Sequence, residues 1–537
     1  MGEAGGMGED TGSRFLRGAF ILALAGLSSK LIGSVYRIVL TRILGAEGIG
    51  LFEMAYPIYV TLLTISRSGI PVALARLVAS DIALGKRKEA LSSFRTARFL
   101  SLGIGLIITL VLMAGSRFLI DLLGWDPRVL PSILAISPAI FFVSVMASYR
   151  GYFQGFQRMG PTGVSQVVEQ FVRMLSMIFL VLLLLPLGVE YAAAGATFGA
   201  VTGALGGLAV MIYYFRASGH APGGLGWPAV EEIRRQSGRI FATALPVTFG
   251  ALVFPLMRLV DAVIIPSRLQ VAGWTVVEAT SLYGILSTAL VLVNFPTILT
   301  ISLAASLVPS ISEDYTLGNR EALRRRVDTA LRLALIIGVP AAVGLITLAL
   351  PLTDIIMGLP QAAVPLRIVG WGVLFMGLQQ TSSAILQGAG RPRIPAINLF
   401  WGALLNGIIN FVLTSIPALG INGAALGTTL GFALAAVLNL ICVHRHLGYS
   451  FNLSSFWPVI LSSGGMFAVI WPIGRLLIAL DGAWYVVLTL LTVGLGVIVF
   501  MALLLLSGGI KERDWSLIPR YGEQIKSFLS RIRLLRG

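Results

Sequence analysis

Eleven basic residues lie inside long apolar segments of this 537-residue sequence, where a positive charge is costly. Five of them form a group that we single out: Lys30, Arg37, Arg42, Arg67 and Arg258. A lone cation at the centre of a bilayer costs about 2.5–3.5 kcal/mol on insertion scales. Ionisable residues at that depth almost always face a protein interior or a water-filled cavity, so these five residues are candidates for ligand binding.

The chemistry that such a group favours is the binding of an anion. Lys30 and Arg37 are seven residues apart and project from one helix face, about 10 Å apart along the axis. Arginine forks match phosphate oxygens, and lysine acts as a point charge. Asp261, three residues after Arg258, is the only obvious acidic neighbour in the sequence. We therefore predict a basic, water-accessible site for a phosphate-bearing headgroup. The structural alternative is that these cations pair with helix carbonyls and Asp261.

The other six cations inside apolar segments have structural explanations. Those near helix ends can extend to the membrane interface, and Arg173 follows Glu169 by four residues, the spacing of a same-face ion pair. The six are Arg76, Arg117, Arg150, Arg173, Arg367 and Arg475.

The composition places all these residues in a membrane protein. Hydrophobic residues make up 56% of the sequence and charged residues only 12%, about half the share found in soluble proteins. Segments of about 20 apolar residues, each long enough to cross a hydrocarbon core of ~30 Å, recur along the chain. We predict an all-α polytopic membrane protein with fourteen transmembrane helices. They lie near 15–44, 51–80, 99–123, 130–157, 161–186, 192–215, 240–266, 281–312, 331–355, 363–388, 394–416, 422–443, 456–480 and 484–507.

The loop charges predict the orientation of these helices. With the N-terminus inside, 27 of the 40 basic residues fall in cytoplasmic segments and two fall in outer loops. This asymmetry follows the positive-inside rule and predicts that both termini are cytoplasmic. It also accounts for the net charge of +16 through orientation and lipid headgroup contact, without a nucleic-acid partner.

The sequence contains an internal repeat. Gln154-Gly155 matches Gln387-Gly388, "AGATFGAVTGAL" matches "NGAALGTTLGFAL", and "LGKRKEAL" matches "LGNREAL", at offsets between 228 and 233. Each copy holds six predicted helices, an even number, so both copies insert with the same orientation and form a parallel repeat. Duplicated transporters of this kind bind substrate between two lobes and rock one lobe against the other. The predicted organisation is a disordered cytoplasmic tail (1–14), an N-lobe (15–215), a cytoplasmic linker (216–239), a C-lobe (240–443), two further helices (456–507) and a basic cytoplasmic tail (508–537).

Four stretches of the sequence resemble the stage V sporulation protein B family. They read "SSKLIGSVYRIVLTRILGAEGIGLFEMAYPIY", "SRSGIPVALARLVA", "YRGYFQGFQRMGPTGVSQVVEQFVRM" and "LYGILSTALVLVNFPTILTISLAASLVPSISE". This family is the polysaccharide-transport branch of the multidrug/oligosaccharidyl-lipid/polysaccharide (MOP) flippase superfamily, and it is similar to the lipid II flippases. The resemblance extends over essentially the whole chain after the N-terminal tail.

The resemblance implies two six-helix lobes in a V shape around a central cationic cavity. Two additional C-terminal helices lie beside the lobes in that family and help to form a groove for a polyprenyl tail. Cavity arginines of helices 1, 2 and 8 are implicated in binding the pyrophosphate in the lipid II flippases. Arg42 and Arg67 match such positions. Lys30 stands where an arginine is usual, and Arg37 fits the pattern.

Two further expectations from the resemblance concern helix 8 and ion coupling. The Asp-Arg pair of helix 8 is missing, because the chain reads Gly-Ile-Leu from Gly284, and Arg258 of helix 7 could compensate. Related flippases have a cation site among helices 7, 11 and 12. We take Asp261, Asn406 and Asn410 as candidate ion-coupling residues, with sodium as the candidate ion. The alternative for the two asparagines is ordinary hydrogen bonding between helices.

These features together predict a transporter rather than an enzyme. The expected function is translocation of an undecaprenyl-diphosphate-linked cell-wall precursor, lipid II first, from the inner to the outer leaflet of a bacterial plasma membrane by alternating access. The expected partners are this lipid-linked glycan and membrane lipids, for a monomer with no cofactor and no nucleic acid. Membrane potential or an ion gradient would supply the driving force, since the sequence lacks a G-x-x-x-x-G-K-[ST] nucleotide motif.

Three alternatives remain open. A flippase for another lipid-linked polysaccharide unit, such as teichoic acid or capsule, would share every feature above. A drug/cation antiporter of the same superfamily needs cavity carboxylates, of which Asp261 is the main one. A membrane-embedded transferase needs clustered acids for metal or base roles, whereas the loop pair Glu231-Glu232 is isolated. No metal site is predicted, because His444 and His446 project in different directions from one helix.

Overall fold

The computed structural model describes residues 5–219, 226–449, 456–478, 480 and 482–509. Within them, side chains are described for residue 22 and from residue 24 onward, except residue 30. The predicted tails at the two termini therefore lie wholly or largely outside the described side chains. The side chain of Lys30 lies outside them too.

The described residues fold into α-helices joined by short turns. The helices are α1 (Gly5–Arg67), α2 (Gly69–Ala83), α3 (Arg87–Leu123), α4 (Leu130–Ile136), α5 (Pro138–Gly155), α6 (Met159–Leu184), α7 (Val189–Ala217), α8 (Val230–Val271), α9 (Val276–Thr316), α10 (Arg320–Thr347), α11 (Ala349–Met357), α12 (Ala363–Gly388), α13 (Arg393–Leu413), α14 (Ile421–Leu447), α15 (Trp457–Leu477) and α16 (Gly482–Leu506). Three 3₁₀ turns accompany them at Pro127–Val129, Leu185–Leu187 and Pro360–Ala362.

Within the described ranges, twelve helices are long and apolar enough to cross a membrane, or thirteen when one bent pair counts as a span. That pair, Pro360–Val369 and Gly372–Gly388, is bent by 47°. The predicted all-α polytopic membrane fold is confirmed, with twelve or thirteen candidate spans in the described residues. The predicted count of fourteen differs because the predicted helices 15–44 and 51–80 join in one helical run of 60 residues, Leu24–Ala83.

This long run is broken at Gly45, whose backbone (φ 65°, ψ −169°) is not helical. That conformation is essentially restricted to glycine, because a Cβ would clash. Sixteen residues of straight helix span about 24 Å, yet Arg37 and Glu53, sixteen residues apart, form an ion pair. The two halves of α1 therefore bend sharply toward each other at Gly45.

Contacts group the chain into two compact units. The first contains residues 1–270 and 274–284, and the second contains 271–273 and 285–537. The boundary falls inside α9, whereas the predicted lobes divide at 216–239, because the repeat rather than the contacts defines those lobes.

The first unit is packed around α1, α5, α6 and α7. Aliphatic and aromatic side chains of α1 meet α6 and α7 in one cluster, which includes Leu40, Phe52, Met177, Val181 and Ala196. Four rings join α3, α5 and α7 with neighbouring centroids 4.7 to 5.5 Å apart: Phe94, Tyr149, Tyr152 and Phe215. In lipid, packing of this kind replaces the hydrophobic effect as the force that holds helices together. It fixes the positions of α1, α5 and α6 relative to one another.

In the second unit, α13 and α14 pack at backbone contact. A Cβ built on Gly402 would lie 2.5 Å from the carbonyl oxygen of Gly431, and one on Gly431 would lie 2.7 Å from that of Gly402. The C-terminal helices α15 and α16 pack on α10 through Met466, Ile470 and Phe500. Small residues at helix crossings are typical of membrane bundles because they permit this close approach.

The internal repeat is visible as two copies of one turn. Lys86 N donates to Asp81 O at 2.8 Å in the first copy, and Asn319 N donates to Asp314 O at 3.0 Å in the second, at an offset of 233 residues. Each turn holds a glycine with positive φ one residue before the helix cap, which is the left-handed conformation that favours glycine. The matching motifs predicted from the sequence therefore adopt matching structures.

α1 and α9 cross within the first unit at two glycines. A Cβ on Gly50 would lie 2.0 Å from the carbonyl oxygen of Thr280, and a Cβ on Gly284 would lie 1.9 Å from that of Ala46. Both distances are far below van der Waals contact and involve backbone, so neither glycine can carry a side chain unless the helices move apart. Gly284 is thus a packing residue, at the place where the resemblance leads one to expect a charged pair.

We expect Gly284→Ala to lower the apparent Tm, because its Cβ meets backbone at the crossing of α1 and α9. Overpacking of this kind costs about 1–3 kcal/mol. Gly103→Ala is the matched control, since nothing lies within 4 Å of its Cβ position on α3 and alanine has the higher helix propensity. Thermal unfolding of both variants in detergent would measure the effect. Equal Tm values would contradict the proposed crossing.

Candidate substrate-binding site

Arg37 on α1 is the first predicted cation whose side chain is described. Its guanidinium pairs with the carboxylate of Glu53, which follows the bend at Gly45. The same guanidinium lies over two rings, 4.9 Å from the centroid of Phe52 and 5.8 Å from that of Tyr56. Cation–π contacts stabilise a cation that is partly withdrawn from water. Arg37 is therefore held by an acid and two aromatic faces.

Arg150 and Glu169 form a second buried pair, between α5 and α6. Nη2 of Arg150 donates to Oε2 of Glu169 at 2.9 Å and to Oγ of Ser165 at 2.8 Å. Arg150 is only 8% exposed, so it does not extend to the interface as its place near a helix end predicts. Arg173, the predicted same-face partner of Glu169, interacts with that carboxylate electrostatically, but the hydrogen bond goes to Arg150.

Arg67 and Arg173 connect the two pairs. Arg67, at the end of α1, interacts electrostatically with both Arg150 and Glu169. Arg173 on α6 is buried, and its guanidinium lies 6.0 Å from the centroid of the Tyr56 ring. The charges from α1, α5 and α6 thus meet in one place within the first unit.

We call this group the arginine cluster. It consists of Arg37, Glu53, Arg67, Arg150, Glu169 and Arg173. Four guanidinium groups and two carboxylates leave a surplus of two positive charges. Among the described residues, Nη1 of Arg37 and Nε of Arg150 are buried donors without a hydrogen-bond partner. Unused donors and surplus charge together suit an anionic ligand, because buried donors are normally satisfied.

The other predicted cations lie elsewhere on these helices. Arg42 is exposed on α1, five residues beyond Arg37. Arg258 on α8 is half-buried, with its guanidinium 5.7 Å from the centroid of the Phe254 ring. Asp261, one turn further along α8, is buried. Of the four predicted cations whose side chains are described, Arg37 and Arg67 belong to the arginine cluster as defined above.

Asn406 and Asn410 lie on α13 in the second unit, and both are fully buried. They face the glycines of α14, so close that a Cβ on Gly427 would lie 2.0 Å from Oδ1 of Asn410. A comparable polar contact joins the same two helices at Asn398, whose Nδ2 donates to Oδ1 of Asn439 at 2.9 Å. Both asparagines thus take part in helix packing, and their predicted role in ion coupling remains a prediction. The described residues hold no group of three or more His, Cys, Asp or Glu that could bind a metal.

Four members of the arginine cluster are missing from the predicted site: Glu53, Arg150, Glu169 and Arg173. Glu53 is sixteen residues from Arg37, so their pairing could be predicted only by recognising the bend at Gly45. The sequence explains Arg150 by its place near a helix end and Arg173 by its spacing from Glu169. These structural explanations give no indication that both arginines contribute to the surplus charge. The spacing of Glu169 and Arg173 is a signal for this site, although by itself it predicts only a same-face ion pair.

Buried arginines in a bundle of membrane-spanning helices are typical of the class of membrane transporters. The chain belongs to the polysaccharide biosynthesis protein family, whose family model matches residues 15–314. The MatE family model also matches residues 278–412. The protein is accordingly a multi-pass transporter of the MOP superfamily and not an enzyme.

Individual relatives support the same assignment. Stage V sporulation protein B of Bacillus subtilis is 31% identical over 82% of this chain and 86% of that protein. The lipid II flippase MurJ of the same organism is 30% identical over 82% of this chain and 84% of that protein. Among solved structures, a lipid II flippase MurJ in an inward closed conformation aligns with a TM-score of 0.68, at 17% identity over 90% of this chain and 98% of that one. A MATE multidrug transporter in an inward-facing conformation aligns with a TM-score of 0.64, at 16% identity over 78% and 94%.

Glu169→Gln should separate the structural and ligand-binding roles of the arginine cluster. We expect a lower apparent Tm without anions, because breaking a buried ion pair costs about 3–5 kcal/mol. We also expect added pyrophosphate to raise that Tm more than it raises the wild-type value, since the positive surplus grows by one. Thermal unfolding with and without pyrophosphate measures both effects.

The matched control is Glu47→Gln, which removes a more exposed acid from its pair with Arg128 in the first unit. Such pairs are worth about 0–1 kcal/mol, and this one lies outside the arginine cluster. Glu47→Gln should therefore leave the pyrophosphate response unchanged. An identical response in Glu169→Gln and the wild type would contradict anion binding at the arginine cluster.

Proposed function

We propose that this transporter is a flippase for an undecaprenyl-diphosphate-linked cell-wall precursor, with lipid II as the first candidate. The observation that carries the proposal is the surplus of two positive charges in the arginine cluster. A diphosphate that joins a lipid to a sugar carries a negative charge on each phosphate near neutral pH, so charge and ligand match. The similarity to a protein named a lipid II flippase supports the same substrate.

In this proposal the arginine cluster acts by positioning and charge compensation. Its guanidinium forks bind phosphate oxygens, which is the geometry arginine favours. Glu53 and Glu169 hold Arg37 and Arg150 in place before the ligand arrives, which limits the reorganisation needed on binding. Lys30, Arg42 and Arg258 complete a basic lining along the path.

The proposed transport cycle is alternating access by two six-helix lobes, with the substrate diphosphate bound at the arginine cluster. The lobes are 15–215 and 240–443, and the helices at 456–507 flank the lipid tail. The chain crosses the membrane fourteen times, since the run Leu24–Ala83 would measure about 90 Å if straight and its bend at Gly45 allows two passes of ~30 Å.

The proposed location is the plasma membrane of a bacterium, with both termini cytoplasmic. The charge of the predicted loops supports this orientation, and bacterial relatives support the location. Translocation proceeds from the inner to the outer leaflet and is driven by membrane potential or an ion gradient. Asp261, Asn406 and Asn410 remain the candidate coupling residues, with sodium as the candidate ion and a monomer as the working unit.

A flippase for another lipid-linked polysaccharide unit is the second candidate. Gly284 favours this second candidate. The resemblance predicts a charged pair at this position of the eighth predicted helix (α9), whereas Gly284 serves helix packing there. A teichoic-acid or capsule unit on a polyprenyl diphosphate would present the same phosphates to the arginine cluster. A drug/cation antiporter ranks below both, since the arginine cluster is positive in sum.

Arg67→Gln is the most direct test of the flippase proposal. It halves the surplus charge, and we expect outer-leaflet appearance of lipid II to fall by about tenfold or more, the effect of losing ~1.4 kcal/mol of binding at the rate-limiting state. The assay uses the full-length protein in vesicles that contain lipid II, with outer-leaflet lipid II measured over time. Arg117→Gln is the control, because Arg117 is exposed on α3.

Complementation separates the two flippase candidates. The wild-type gene should restore growth to cells that lack their lipid II flippase, and Arg67→Gln should not. If the wild type fails to complement but its Tm rises with another polyprenyl-diphosphate glycan, the second candidate stands. Unchanged lipid II translocation by Arg67→Gln would exclude the role given to the arginine cluster.

A further inference from the structure

The four residues before α8 and the first ten residues of α8 lie across the beginning of α3 in the first unit. We call these residues, 226–239, the strap. Hydrogen bonds, ion pairs and one ring contact hold it on α2 and α3. They join Gly226 O to Arg98 (2.9 Å), the Trp227 ring to the Phe99 ring (centroids 5.9 Å apart), Glu232 to Arg95, Arg235 to Glu89 (2.6 Å), Gln236 to Glu89 (3.1 Å) and Arg239 to Asp81 (3.3 Å).

Asp81, at the turn between α2 and α3, has an equivalent in the second repeat. Asp314 occupies the same place at an offset of 233 residues, and both acids are buried, at 4% and 5% exposure. Asp314 pairs with Arg326, which lies on α10 two turns after the turn itself. The second repeat therefore neutralises its buried acid from within.

The first repeat lacks that internal arginine. At the same offset the residue that corresponds to Arg326 is Ser93, and its hydroxyl donates to Asp81 at 3.4 Å. A hydroxyl satisfies an acceptor but brings no charge, and a buried carboxylate without a cation is costly. The cation at Asp81 comes instead from Arg239, in the strap. The buried acid of the first repeat is therefore paired with an arginine from the beginning of α8 and not with one from α3.

In the second repeat, the described part of the segment after the sixth helix contacts the third helix without supplying an arginine to the buried acid. Tyr449, just after α14, donates its hydroxyl to Asp328 of α10 at 2.8 Å, and Asp328 corresponds to Arg95. Burial and the Asp328 carboxylate raise the pKa of the Tyr449 hydroxyl, so it remains a donor. The segment after the sixth helix thus contacts the third helix in both repeats. Only in the first repeat, among the described residues, does that segment carry the arginine that the turn needs.

We propose that the strap is a releasable latch, held closed by the need of Asp81 for a cation. The other ion pairs of the strap are partly exposed, with side-chain exposures of 23% to 58% for their arginines, and such pairs are individually weak. Asp81 is the buried anchor. Arg239 is the cation that forms an ion pair with Asp81 among the described residues, so this pair favours the closed state. Because the strap includes the first ten residues of α8, its docking fixes where α8 begins relative to α3.

The residues that anchor the strap lie outside the arginine cluster. A pocket of about 760 Å³ opens beside the anchor, lined by residues that include Asp81, Lys86, Glu89, Arg235 and Arg239. The Arg239 guanidinium borders this pocket, and its side chain is 41% exposed. Asp81 is the one buried charge among the ion pairs that hold the strap in the described residues.

Hydrogen exchange of the full-length protein in nanodiscs tests the latch. In Arg239→Gln we expect amides of residues 226–239 to exchange about tenfold faster and the apparent Tm to fall, because the lost ion pair includes the buried carboxylate of Asp81 and such a pair contributes more than an exposed one. Arg234→Gln is the matched control, because it removes the same charge from an exposed strap residue that has no ion pair among the described residues. It should change neither quantity.

Two more variants separate the latch from general destabilisation. The double variant Asp81→Asn/Arg239→Gln should have the same apparent Tm as Asp81→Asn, because an amide at position 81 needs no cation. Its strap should still exchange faster than that of the wild type. Arg326→Gln should lower the Tm and leave strap exchange at the wild-type rate. If Arg239→Gln does not fold, faster strap exchange in Asp81→Asn alone decides the question. Strap exchange in Arg239→Gln equal to that in Arg234→Gln, or a double variant whose apparent Tm lies below that of Asp81→Asn, would overturn the proposal.

Discussion

Charge that is buried among membrane helices must be balanced, and this requirement organises the first unit. Removing an ion from water costs several kcal/mol even in a relaxed protein. Arg37 meets the requirement by pairing with Glu53 and by lying over two rings, and Arg150 meets it by pairing with Glu169. The bend of α1 and the packing of α5 on α6 bring these partners together. Helix geometry here follows from electrostatics as much as from apolar packing.

The chain balances its buried charges in two different ways. In the arginine cluster the acids are fewer than the arginines, so a positive surplus remains for a ligand. At the strap, Asp81, Glu89 and Glu232 are each paired with one arginine, so these pairs leave no surplus charge for a ligand. The first case is suited to binding and the second to holding a segment in place. The same two side-chain types therefore support both roles, and the count of charges distinguishes them.

Much of this fold can be predicted from the sequence. Low charge, repeated apolar segments and the copied turn motif predict a helical, duplicated membrane protein, because these signals are local. The arginine cluster is harder to predict. Arg37 and Arg67 are found from their depth in apolar segments. Glu53 becomes the partner of Arg37 only through the bend at Gly45, and Arg150 becomes the partner of Glu169 only through the packing of α5 on α6. Those are tertiary events, and neither hydropathy nor spacing along one helix encodes them.

The same limit applies to Gly284. In the sequence it looks like the loss of a charged pair, whereas in the fold it is the place where α9 touches the backbone of α1. A glycine at such a crossing and a glycine left by the loss of a function are identical in one sequence. The distances to Ala46 distinguish them, since open space around the Cβ position would have indicated a vacant site.

The contact between α13 and α14 has a mechanical consequence. Gly402 and Gly431 bring the two backbones together, and Oδ1 of Asn410 fills the place where Gly427 would carry a Cβ. Sliding one helix along the other would drive that amide into the next side chain of α14. The interlocking contacts therefore hold α13 and α14 in a fixed register, and we expect the two helices to move together as one rigid element.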